Sequence, residues 1–136
     1  MKAKVVYFTK SGHTKQIADA IGEELKCPVT NIDVPVTEAV DILFLGASVY
    51  KFGIDKQVLD FIDNLEPTLI GSVVLFETSA LADNGYHKMS KKLTAKGIKV
   101  CENHYHCKGA FMLINKNHPN EDDINKAKQF ATSIKE

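Results

Sequence analysis

Six consecutive residues, Thr9-Lys10-Ser11-Gly12-His13-Thr14, bring together side chains that could hold an anion. They follow the apolar run Ala3 to Phe8 and open a helical pattern that continues to Leu25. A strand, a tight loop and a helix N-terminus are thus expected in one piece. A helix N-terminus presents backbone N–H groups without intrahelical acceptors and a positive partial charge. Both suit a phosphate group. Thr9, Ser11 and Thr14 add hydroxyl donors, Lys10 and His13 add nitrogen donors, and Gly12 lets the backbone come close to a ligand. An ordinary cap would use Ser11 alone. Three hydroxyls and a glycine in six positions exceed that need. The pattern is neither a G-x-G-x-x-G dinucleotide fingerprint nor a Walker loop ending in G-K-[ST].

The elements that must position this loop follow from periodicity. Ala3 to Phe8 has the continuous apolar character of a central parallel strand. Ile17, Ala18, Ile21 and Leu25 then mark one face of a helix. Pro28 to Asp33 is a second, weaker strand, and Val34 to Glu38 leaves room only for a short connection. Asp41 to Gly46 is a third strand, followed by a loop from Ala47 to Gly53. Val58, Phe61, Ile62 and Leu65 form the inner face of the next helix, closed by Pro67. Ser72 to Phe76 is a fourth strand, ending in Thr78-Ser79-Ala80. A helix from about Asn84 carries Tyr86, Met89 and Leu93, with Gly97 as its stop. Ile98 opens a fifth strand. The last helix begins near Pro119-Asn120-Glu121 and buries Ile124, Ala127, Ala131 and Ile134.

Strands alternating with helices imply right-handed crossovers and a parallel sheet covered on both faces. A ligand then lies beyond the C-terminal strand ends, where strand order reverses. That geometry gathers three loops: Thr9–Thr14, Ala47–Gly53 and Thr78–Gly85. The second offers Ser48, Val49, Tyr50, Lys51, Phe52 and Gly53, with two aromatics able to stack on a flat conjugated ring. The third offers Thr78, Ser79 and Ala80.

Composition narrows the partners. The 136 residues suit a single domain over 1–136. Seventeen basic and seventeen acidic residues cancel, so neither nucleic acid nor a membrane surface is expected as a partner. All of the basic residues are lysines, which excludes an arginine fork on phosphate. No apolar run reaches membrane-spanning length and no leader is expected before the first strand. Three cysteines, Cys27, Cys101 and Cys107, fit a reducing compartment, so a cytoplasmic protein is expected. Cys101, His104, His106 and Cys107 are potential metal ligands. Strand alternation puts the two histidines on one face and the two cysteines on the other, which divides the set, and no metal is expected.

The spacing Thr-x-Ser-Gly-x-Thr after a buried first strand resembles the phosphate loop of flavodoxins. Gly46-Ala47-Ser48-Val49-Tyr50, followed by Ile54-Asp55-Lys56-Gln57-Val58 and Phe61-Ile62, is similar to their third strand, second loop and following helix. It is also similar to flavodoxin-fold protoporphyrinogen oxidases. Cys107 to Phe111 and His118 to Asp122 resemble the end of short flavodoxin-like proteins, so the likeness spans the chain. It implies a three-layer α/β sandwich with a five-stranded parallel sheet ordered 2-1-3-4-5. It also implies noncovalent FMN and electron transfer to redox partner proteins by a monomer or weak dimer. Thr9 to Thr14 would hold the phosphate, Ser48 to Gly53 would flank the isoalloxazine, and Thr78 to Ala80 would form its other side. The chain departs from many flavodoxins in its neutral charge and in lacking a third-loop aromatic before Tyr86. The competing reading is an FMN-dependent quinone or porphyrinogen oxidoreductase of the same fold. A third is a flavodoxin fold that serves as an interaction domain without FMN.

Overall fold

Alternation along the central strands decides which side chains enter which core. Val6, Leu43, Leu45, Val73 and Leu75 point to one face, and Val5, Ile42, Phe44, Val74 and Phe76 to the other. A sheet apolar on both faces must be covered on both. The computed structural model of the chain describes residues 2–9, 12–50, 53–79, 85–108 and 119–134, with the side chains of Tyr50 and Lys108 outside the description.

Six strands are described: β1 (Ala3–Phe8), β2 (Val29–Asn31), β3 (Val40–Tyr50), β4 (Gly53–Ile54), β5 (Ile70–Ser79) and β6 (Tyr105–Lys108). Four helices accompany them: α1 (His13–Leu25), α2 (Lys56–Asp63), α3 (Gly85–Ala95) and α4 (Glu121–Ser133). The sheet order is β2-β1-β3-β5-β6, with β4 antiparallel against the end of β3 and every other pairing parallel. Allowing for β4, this is the expected 2-1-3-4-5 order. Helices α1 and α4 pack on the Phe44–Phe76 face, and α2 and α3 on the Leu45–Leu75 face. Each fully buried large side chain among them contributes about 1.5–3 kcal/mol relative to exposure.

Several boundaries differ from the sequence reading. Strand β3 does not stop at Gly46 but continues through Ala47, Ser48, Val49 and Tyr50. Flanking pairings explain this: Ala47 pairs with both Phe8 and Glu77, and Ser48 and Val49 pair with Thr78 and Ser79. The expected loop Ala47–Gly53 is therefore a strand extension that returns as β4, with Val49 opposite Ile54 and Tyr50 opposite Gly53. Thr78 and Ser79 likewise belong to β5 rather than to a loop. Strand β2 is shorter than Pro28 to Asp33. The last strand begins at Tyr105, because Val100 makes only one isolated bridge, to Val73. The short second connection is as expected. It borders a cleft of about 430 Å³ between Ile32, Pro35, Val36 and α2, whose lining includes none of the expected site residues.

Gly46 sits in mid-strand because a Cβ there would overlap the Phe76 ring, which is itself 1% exposed. Gly46→Ala should destabilise the fold by about 1–3 kcal/mol through overpacking. Adding Phe76→Leu should recover part of that loss, as read from urea unfolding midpoints. An additive double variant would place the strain elsewhere.

Candidate functional site

Three hydroxyls from three elements meet at the C-terminal edge of the sheet. Thr14 Oγ1 lies 2.7 Å from Ser48 Oγ and 2.7 Å from Thr78 Oγ1. All three residues are buried, Thr14 completely. Ser48 and Thr78 are register partners on β3 and β5, and both face α1. The Thr14 hydroxyl has one proton and can donate once while accepting once, so it bridges both strands. Expected from sequence as a hydroxyl donor of the loop, Thr14 directs its hydroxyl toward Ser48 and Thr78 in the structure and ties the start of α1 to both strands.

The start of α1 differs from the other helix starts. Asp55 caps α2 by accepting from the Gln57 N–H. Asn120 and Asp123 close α4 with a reciprocal capping box behind three first-turn acids. At α1 the N-cap is Gly12, which has no side chain to cap with, and the first turn holds no acid. Gly12 adopts φ +91°, a left-handed conformation that glycine enters without strain. Among the described residues, no heavy atom lies within 4 Å of where its Cβ would stand. Its N–H donates to Thr9 Oγ1 at 2.9 Å, which closes the turn between β1 and α1. His13 and Thr14 occupy the first helical turn. Lys10 and Ser11 lie outside the described residues. This helix start stands at the end of β1, between β2 and β3, where strand order reverses.

On the second segment, Ser48 and Val49 are buried strand residues, and Gly53 opens the return strand. The side chain of Tyr50, and Lys51 and Phe52, lie outside the description. Lys88 of α3 reaches over this hairpin: its Nζ lies 2.8 Å from where a Cβ on Gly53 would stand. On the third segment, Thr78 and Ser79 are buried at the end of β5, and Ala80 lies outside the described residues.

Glu77 was not expected at the site. It is 1% exposed, and a Cβ on Gly85 would overlap its Oε2, so the carboxylate lies against the first residue of α3. The sequence signal was a lone carboxylate closing the run Val73-Val74-Leu75-Phe76. The cysteines and histidines divide as expected. Cys101 and Cys107 belong to the α1/α4 core, whereas His104 stacks on Tyr86 of α3 with centroids 4.0 Å apart. Among the described residues, no three His, Cys, Asp or Glu side chains are placed to hold a metal. Burial pushes the Cys107 thiol up from 9.0 to about 12, and the negative charge of Asp123 adds to the shift. Burial also raises the Tyr105 phenol, with Cys107 and Asp123 contributing, and that phenol donates to the Asp123 carbonyl at 2.9 Å. A thiol held protonated in this way is a packing group, not a nucleophile.

A family model described as the flavodoxin domain matches residues 4–128. An uncharacterized protein of Methanocaldococcus jannaschii is 37% identical, over 98% of each chain. A solved flavodoxin from the domain Archaea superimposes with a TM-score of 0.80 at 19% identity, covering 98% of this chain and 96% of that one. Oxidised Flavodoxin 2 from Bacillus cereus gives a TM-score of 0.73 at 19% identity, over 98% and 97%. These structural likenesses extend to the whole sandwich.

Two outcomes follow from the buried groups. Thr14→Val leaves Ser48 and Thr78 facing an apolar methyl and should cost roughly 1–3 kcal/mol. Replacing all three, Thr14→Val with Ser48→Ala and Thr78→Val, should recover stability, and denaturant titration of both variants checks this. For Cys107, the native state keeps its proton to higher pH than the unfolded chain does. That stabilisation is complete below the ordinary thiol value and is lost as pH rises from 9.0 to about 12. The stability gap between wild type and Cys107→Ala should therefore shrink across that window. A constant gap would remove the thiol from the alkaline transition.

Proposed function

Because this chain belongs to the flavodoxin domain family, we propose that it binds FMN noncovalently at the C-terminal edge of its sheet and carries electrons between redox partner proteins. The observation that carries this reading is the start of α1. Every other helix whose N-cap is described has a capping side chain of its own, and α1 has Gly12. A phosphate is the kind of group such an end accepts. The residues present fit it: Gly12 leaves space, no carboxylate stands in the first turn, and the Thr9 hydroxyl closes the turn behind. With no arginine in the chain, recognition rests on backbone N–H groups, supported by the Ser11 hydroxyl and the Lys10 ammonium that the sequence places beside them.

When bound, FMN supplies one- and two-electron transfer, and the chain supplies binding, orientation and electrostatics. The N–H groups of His13 and Thr14 orient the phosphate. The β3–β4 hairpin, with Val49, Tyr50, Lys51, Phe52 and Gly53, takes one side of the ring, and the segment from Thr78 through Ala80 takes the other. Ser48, Thr78 and Ser79, buried at the strand ends, keep water from the floor of the site. On this reading the partners are redox proteins, and the chain works in the cytoplasm as a monomer or weak dimer.

Gly12→Asp tests the phosphate assignment. It puts a carboxylate where the phosphate would dock. FMN affinity should fall by at least ~10-fold, about 1.4 kcal/mol, while riboflavin, which has no phosphate, loses much less. Flavin fluorescence titration reads both. Equal losses would move the phosphate elsewhere, and wild-type apoprotein that takes up no FMN would overturn the proposal.

A further inference from the structure

Glu77 and His106 are register partners on the neighbouring parallel strands β5 and β6. Both project to the α2/α3 face. Glu77 lies between Phe76 and Thr78, which face α1, and His106 lies between Tyr105 and Cys107, which face α4. Glu77 is 1% exposed, the Nε2 of His106 is buried, and the carboxylate rests against Gly85 at the start of α3. Glu77 immediately precedes Thr78 and Ser79, where the third ligand-facing segment begins. We propose that Glu77 and His106 form a buried acid–imidazole pair whose net charge sets how readily bound FMN is reduced and makes that readiness depend on pH. This control rests on the FMN reading above.

This control is electrostatic. Burial alone disfavours a carboxylate, whereas the N-terminus of α3 and an adjacent imidazole both favour the anion. With His106 neutral the pair carries one negative charge, and with His106 protonated it carries none. Reduction adds negative charge to the flavin, and a buried anion close behind it opposes that change. Screening is weak there because the Glu77 carboxylate and the His106 Nε2 are removed from water. The pair exchanges one proton with solvent and no electrons; in the test below, dithionite supplies the electrons.

The other ionisable groups around the pair can be named among the described residues. From α3, Tyr86 is half-buried and donates to the Cys101 carbonyl, while His87 and Lys88 are exposed. His104, just before β6, stacks on Tyr86. From β3, the neighbours are Ala47, the register partner of Glu77, and Val49, both apolar. On α2, Lys56 pairs with Asp60, Asp63 pairs with Lys92 of α3, and Asp55 caps its own helix. His106 is therefore the titratable group placed to change the charge beside Glu77 between about pH 5 and pH 8.

The test is a potentiometric titration of FMN-loaded wild type, Glu77→Gln and His106→Gln across that range. At the alkaline end, wild type and His106→Gln both keep the anion and should share a more negative midpoint than Glu77→Gln. At the acid end, wild type should rise to meet Glu77→Gln, leaving His106→Gln behind. Three parallel curves would overturn the control and reduce the pair to a structural role. A second readout needs no flavin. The His106 ring proton shift in the apoprotein should titrate at lower pH in Glu77→Gln than in wild type, and an unchanged midpoint would overturn the pairing itself. Wild-type apoprotein that fails to take up FMN would instead overturn the FMN reading, and the apoprotein titration would still judge the pair.

Discussion

Three buried hydroxyls hold the ligand-facing edge of this sheet in register. Thr14, Ser48 and Thr78 come from α1, β3 and β5, and their oxygens meet at 2.7 Å. A net hydrogen bond contributes only about 1 kcal/mol, but a buried hydroxyl left without a partner costs about 1–3 kcal/mol. That asymmetry makes the arrangement discrete. Sliding β3 against β5 by one residue would turn Ser48 away from Thr78 and put an apolar side chain in its place. Because Thr14 lies in the first turn of α1, the same contacts fix the height and direction of the helix start. The Gly12 turn, with its left-handed backbone, then has one geometry in which to join β1 to that helix.

The described helix starts differ in what stands at them. α2 and α4 close themselves with Asp55 and with the Asn120–Asp123 box. At the start of α3, the Glu77 carboxylate of β5 lies against Gly85. At α1 the N-cap supplies no side chain at all. Negative charge near a helix N-terminus is stabilising, so an uncapped start is where an external anion gains most. In a chain whose seventeen basic residues are all lysines, an anion at that start would meet backbone N–H groups and no guanidinium.

Much of this was legible in the sequence, and the exceptions have physical reasons. The apolar runs Val5-Val6, Ile42 to Leu45 and Val73 to Phe76 located the central strands, since only a sheet covered on both faces tolerates such continuity. Strand ends were misplaced because small and polar residues look like loop. Gly46 reads as a terminator, yet it is there to admit the Phe76 ring. Ser48, Thr78 and Ser79 read as loop residues, yet they are strand residues paired across β3 and β5. The fifth strand, expected from Ile98, begins only at Tyr105, because Val100 forms a single isolated bridge to Val73. Alternation correctly separated His104 from Cys107, as it depends only on strand period. Glu77 was missed because burial of a carboxylate comes from tertiary packing, which no local pattern reports.

The two faces of the sheet end differently at this edge, and the difference sorts binding from tuning. On the α1/α4 face the strand ends carry hydroxyls, a buried thiol held protonated, and a helix start with no acidic side chain in its first turn. Neither the hydroxyls nor that thiol changes charge near neutral pH. On the α2/α3 face the strand ends carry Glu77 and His106, with the Tyr86–His104 stack and the Lys88 ammonium nearby. Those groups include the ones whose charge does change. A ligand whose phosphate lies on the first side and whose ring reaches toward the second would be gripped by fixed dipoles and tuned by titratable charge. Separating the two would keep a shift in the charge of the second side from also releasing a ligand held on the first.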